Sequence, residues 1–206
     1  VIVSRTPLGS TAATTLKAAE QELGLLAGHG LPLERWINAA SDLIVRMIGR
    51  DLAAALYVED IPGSGLTSLL LEARPFISVE SVTYQGVPIT DFVASSTEPA
   101  ILYRQLGWPE TMATSTWLTD NVVATSINDY EITYRAGYYM PGDAVPTLPA
   151  RYEQACLLLV RQFYLQRGKD GSIKSESVGD LSVTYAARGG VAIPEVYELL
   201  GLEIPQ

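Results

Sequence analysis

Residues 128–163 read NDYEITYRAGYYMPGDAVPTLPARYEQACLLLVRQF, and within this one stretch the spacing of apolar residues changes. From 128 to 134 the period is two: Tyr130, Ile132 and Tyr134 fall on one side, Asp129, Glu131 and Thr133 on the other. That alternation predicts a half-buried strand of an antiparallel sheet, because successive side chains of a strand point to opposite faces. Pro141, Pro146 and Pro149 then break the strand pattern, since proline cannot donate to a ladder. Beyond them Tyr152, Ala155, Cys156, Leu159 and Phe163 recur at helical spacing and predict a helix over about 149–167. Glu153 near its start and Arg161 and Arg167 near its end suit the helix dipole, and Gly168 supplies the stop. A clean strand followed by a long helix points to the α+β class.

Working toward the C-terminus, KSESVGDLSVTY at 174–185 alternates through Leu181, Val183 and Tyr185, the mark of a further strand. Gly189-Gly190 reads as a hinge, and Pro194 opens a short terminal helix. The last segment, VAIPEVYELLGLEIPQ at 191–206, carries Val196, Tyr197, Leu199, Leu200, Leu202 and Ile204. It is too short to be a stable helix alone, so it needs a surface to dock on, its own body or a neighbour's.

Working toward the N-terminus, AALYVED, LTSLLLEARP and PFISVESVTYQG are short, rich in β-branched residues and divided by Pro and Gly, which predicts strands from about residue 52. Ile77 and Val79 share one parity while Val82 and Tyr84 take the other, so a bulge is expected near Glu80 and Ser81. Gln85-Gly86 reads as a hairpin turn, and 94–127 is polar and weakly patterned. Before the strands, Trp36, Ile37, Ala40, Leu43, Ile44, Met47 and Ile48 form one helical stripe between Pro32 and Gly49. Leu16, Ala19, Leu23 and Leu26 form a shorter one, interrupted by Gly24, Gly28 and Gly30. The expected architecture is one domain, 1–206: a helical core of three main helices plus the short C-terminal one, with helices in about 11–49 and 149–167. It carries an antiparallel β-rich insertion over about 52–140 and a C-terminal strand and docking arm over about 174–206.

A chain of 206 residues, 48% of them hydrophobic, can bury a sizeable core. No apolar run approaches the roughly 20 residues a membrane span needs, and the opening VIVSRTPLGSTAATT does not resemble a signal peptide, so a soluble protein with no membrane partner is expected. A single cysteine rules out a disulfide framework and fits a reducing interior. The net charge of -9 is spread along the chain, and no cluster of Lys and Arg stands out. Tight DNA binding needs such a cluster to displace counterions, so that class is excluded. A wall that only lets DNA pass would gain from the acidic sign.

The residues that could carry chemistry are few. His29, the only histidine, sits between Gly28 and Gly30, and no HxxxH or CxxC spacing accompanies it, so neither a metal centre nor a triad is expected. Cys156 lies mid-helix between Ala155 and Leu157, where a thiol packs as a small apolar group. Pro62-Gly63-Ser64-Gly65 lacks the GxSxG spacing of a nucleophile elbow, and the Gly168-Lys169 pair follows a helix rather than preceding one as in a phosphate-binding loop. Glu59 and Asp60, with Asp129 and Glu131, could form an acid–base or metal pair, but their spacing matches the polar positions of strands. Eleven tyrosines against one His and one Cys equip the chain for contact more than for catalysis; Tyr138, Tyr139 and Tyr197 could anchor partner surfaces. No catalytic residue, cofactor or metal is expected.

The order of LERWINAASDLIVRMIGRDL, EARPFISVESVTYQGVPI, EITYRAGYY, LPARYEQACLLLVRQFYLQR and KSESVGDLSVTY resembles that of the head–tail connector (adaptor, or head-completion) proteins of tailed bacteriophages. The likeness spans about residues 33–186, and its most specific part is Ser-Glu-x-x-Gly-Asp-x-Ser-Val after the long helix. The resemblance implies a virion neck protein whose copies, twelve by that implication, form a ring beneath the portal protein. The ring would link the portal to a downstream neck or tail-terminator protein while DNA passes through the lumen without specific binding. It also implies docking to the portal or to neighbouring copies through Glu176, Gly179 and Asp180 and through Val196, Tyr197, Leu199, Leu200 and Ile204. Two alternatives are a small soluble hydrolase built on Glu59, Asp60, Asp129 and Glu131, and a different ring protein of a phage neck or tail.

Overall fold

The structure is a computed structural model that describes residues 1–26, 30–95, 100–109, 130–167, 175–178, 181–184 and 194–202, with 175–178 and 181–184 described by backbone alone. The chain divides into two compact units, Val1–Ser10 with Leu52–Tyr139, and Thr11–Asp51 with Met140–Gln206. Among the described residues four helices and antiparallel sheets make the fold α+β, as the change of period predicts.

In the first unit the strands are β1 (Ile2–Pro7), β2 (Ala55–Ile61), β3 (Ser68–Leu70), β4 (Phe76–Tyr84), β5 (Val87–Pro88), β6 (Val93–Ala94), β7 (Ile101–Tyr103) and β8 (Tyr130–Ala136). Five of them form one antiparallel sheet in the order β1-β2-β8-β4-β5, and β3-β7-β6 form a smaller one. The strand predicted from its alternation, β8, is central: Tyr130, Ile132, Tyr134 and Ala136 are all buried while Glu131 is exposed. They pack with Tyr57, Val82, Leu69, Leu71, Leu102 and Trp108 into a core that both sheets share. Tyr57 stacks on Tyr134 and Trp108 meets Tyr130 edge-on, at ring-centre distances of 5.7 and 5.2 Å, separations at which aromatic pairs attract beyond their buried area.

The parity switch in β4 is a bulge: its register on β8 slips between Val79 and Ser81, and a second slip lies between Phe76 and Ser78. Gln85 and Gly86 turn the chain into β5 with φ of 53° and 75°, the positive pair of a hairpin whose twist matches its strands. Three elements carry no readable pattern. The edge strand β1 has only Ile2 and Val3 as apolar residues and is mostly exposed, so its strand character comes from backbone pairing to β2. Both β6 and β7 are too short, at two and three residues, for alternation to register.

The second unit holds α1 (Leu16–Leu23), α2 (Leu33–Ile48), α3 (Ala150–Gln166) and α4 (Pro194–Leu200), with a two-stranded antiparallel pair, β9 (Ser175–Val178) and β10 (Leu181–Thr184). Leu33, Ile37, Ala40, Ser41 and Ile44 of α2 and Tyr152, Ala155, Cys156, Leu159 and Val160 of α3 are buried. On α3 the inner stripe runs through Val160, and Phe163 is half-buried. The α1 stripe is largely not core: Ala19 is buried, but Leu16 and Leu26 are exposed, because the helix lasts two turns and ends where Gly24 takes φ 63°. Thr15 caps α1 by accepting the Ala18 N–H. Gly49 closes α2 at φ 74° with its N–H on the Val45 carbonyl, the stop the sequence signals. A buried polar residue on α2, Ser41, accepts the Ala13 N–H at 2.9 Å and donates to the Ile37 carbonyl at 2.8 Å, tying the segment before α1 to α2.

Candidate functional site

The arm residues belong to an apolar segment too short to stand alone, and the structure shows what supports it. The helix α4 packs along α3, and Val196 is 1% exposed. The helix ends at Gly201 (φ 67°), whose N–H reaches the Glu198 carbonyl while the Leu202 N–H reaches that of Tyr197. These two bonds satisfy carbonyls that a helix end leaves open. Tyr197, Leu199 and Leu200 are half-buried, so each keeps apolar surface in solvent. The arm therefore finds its first surface on its own unit through Val196, and what it can offer elsewhere is the remainder of α4. Glu176 lies in β9 opposite Val183 of β10. Gly179, Asp180 and Ile204 fall outside the described residues.

Of the carboxylates that could have formed an acid–base centre, strand geometry turns Glu59 away from Asp60 and brings Asp60 opposite Glu131. Glu59 and Asp60 are adjacent in β2, so one faces the core and the other the opposite side. Glu59 is 3% exposed, and its Oε2 accepts the Tyr134 hydroxyl at 2.6 Å and the Glu72 N–H at 3.2 Å. The same hydroxyl accepts the Ala73 N–H at 3.0 Å, so carboxylate and phenol together hold the 72–73 turn against the sheet. Burial, with the bond to Glu59, pushes the Tyr134 phenol far above its usual range, leaving it a permanent donor. The pair is a structural clasp, with the carboxylate and the phenol both committed. Asp60 instead lies directly across the ladder from Glu131, a rung of two like charges. Asp129 and His29 lie outside the described residues. Among the described residues no group of three His, Cys, Asp or Glu is placed to hold a metal ion.

Cys156 is fully buried beside the Ser41 hydroxyl at 3.8 Å, and burial pushes its thiol up to about 11, so it stays protonated and non-nucleophilic at neutral pH. Of the candidate tyrosine anchors, Tyr138 is built into the frame: its N–H reaches the Leu52 carbonyl and its carbonyl accepts from Ala54. Among the described residues no helix is long and apolar enough to cross a membrane.

Sequence reasoning missed one exposed feature. The register of the small sheet puts Leu70, Ile101, Tyr103 and Val93 on the face away from the core, and three of them, Leu70, Val93 and Tyr103, are 53%, 70% and 48% exposed. Strands of two or three residues leave no periodicity from which such a face could have been read.

No family model and no curated protein matches the chain. Solved structures do. The chain is similar to one in the neck of the native gene transfer agent particle computed with C12 symmetry, at 18% identity and a TM-score of 0.56, over 97% of this chain and 93% of that one. It is also similar to a chain in the virion of the native particle, at 16% identity, TM-score 0.57 and 97% and 94% coverage. A third is in the neck of the empty particle computed with C6 symmetry, at 16% identity, TM-score 0.54 and the same coverage. At such identities the likeness is one of fold, and it extends over nearly the whole of both chains.

Proposed function

We propose that this chain is a structural subunit of the neck of a tailed, phage-like particle, forming with its own copies a ring that joins the portal protein to the next neck or tail component. The observation that carries the proposal is the end-to-end fold likeness to chains of a particle neck, helices and β-rich part together. The connector-like order of sequence segments supports the same reading independently. The chemistry agrees: Glu59 is locked in a clasp with Tyr134, Asp60 and Glu131 share a rung on the other face with no third metal-ligating group among the described residues, the thiol is buried, and the role asks for no turnover.

Charge suits a passage for DNA. The β-rich unit carries four arginines and no lysine against ten carboxylates, and copies of such a surface around a channel repel phosphates and keep DNA moving. Docking to the portal falls to Tyr197, Leu199 and Leu200, the part of α4 that its own unit leaves open, with Glu176, Gly179 and Asp180 nearby in sequence order.

The test is electron microscopy of the cognate particle, with the subunit tagged. Density for the tag in a ring under the portal is the expected result; its absence from the neck overturns the proposal. Docking is tested with Tyr197→Ser and Leu200→Ser together, which spare Val196 and so leave α4 seated. The variant is expected to keep its fold by circular dichroism and to fail to co-purify with the portal; unchanged co-purification removes α4 from the docking surface.

A further inference from the structure

We draw no further inference here: the strongest candidate, the open apolar face of the β3-β7-β6 sheet that carries Leu70, Val93 and Tyr103, supports none, because nothing in the structure shows what covers it.

Discussion

Tyr134 shows how much one buried side chain is asked to hold. Its hydroxyl donates to Glu59 and accepts from the Ala73 N–H, in a site where Glu59 is almost entirely out of water. Tyr134→Phe removes both bonds and leaves a buried carboxylate with the Glu72 N–H, a loss of about 1–3 kcal/mol expected from unmet desolvation. Chemical denaturation of the variant measures it. Cys156 gives a pH-dependent counterpart. Burial raises its thiol from 9.0 to about 11, so between those values the folded state keeps a proton that the unfolded state has released. That stabilisation is complete below pH 9 and drains as pH rises toward 11, worth up to about 3 kcal/mol. Stability measured across this window is expected to fall more steeply in the natural protein than in Cys156→Ala, which lacks the thiol and its share of the slope.

Among the elements, the ladder between β2 and β8 contains one conspicuous conflict, Asp60 opposite Glu131. Directly opposed like charges cost a strand pair, and Glu131 is exposed while Asp60 is half-buried. Glu131→Lys is therefore expected to stabilise the β-rich unit by about 0.2–1 kcal/mol, with a gain that shrinks in high salt, as thermal unfolding at two ionic strengths checks. In the other unit α4 has seven residues and no stability of its own, so Val196 carries its attachment to α3. Val196→Ala is expected to cost about 1–3 kcal/mol and to raise amide exchange in α4 before the rest of the unit. The tight packing between strands and loops shows at Gly63, where an added Cβ would stand 1.8 Å from the Pro109 carbonyl oxygen and 2.8 Å from the Tyr130 ring. No side chain fits there without moving backbone.

For the whole molecule, charge sets the condition of assembly. Bringing copies of charge -9 together is opposed by repulsion that salt screens over a Debye length of about 10 Å at about 0.1 M. If the ring forms through an apolar, charge-free face, raising salt from about 0.05 to about 0.5 M is expected to favour it; a contact held by ion pairs would weaken instead. Sedimentation of the protein with its portal across that range reads the sign.

The α+β class, the central strand, the two long helices, the bulge in β4, the Gln85-Gly86 turn and the stop at Gly49 are all legible in the residues alone. Each is written in local terms, as a period of two or of 3.6 and as residues that tolerate a positive φ, and these act over a few positions. Tertiary structure alone decided the rest. It made an edge strand of Ile2–Pro7 by pairing it with residues 55–59, far along the chain, turned Glu59 inward to Tyr134 and Asp60 outward to Glu131, and seated Val196 on α3. It also gathered Leu70, Val93 and Tyr103 onto one open face. Those outcomes depend on which distant segments meet, and a contact between distant segments leaves no period in either of them.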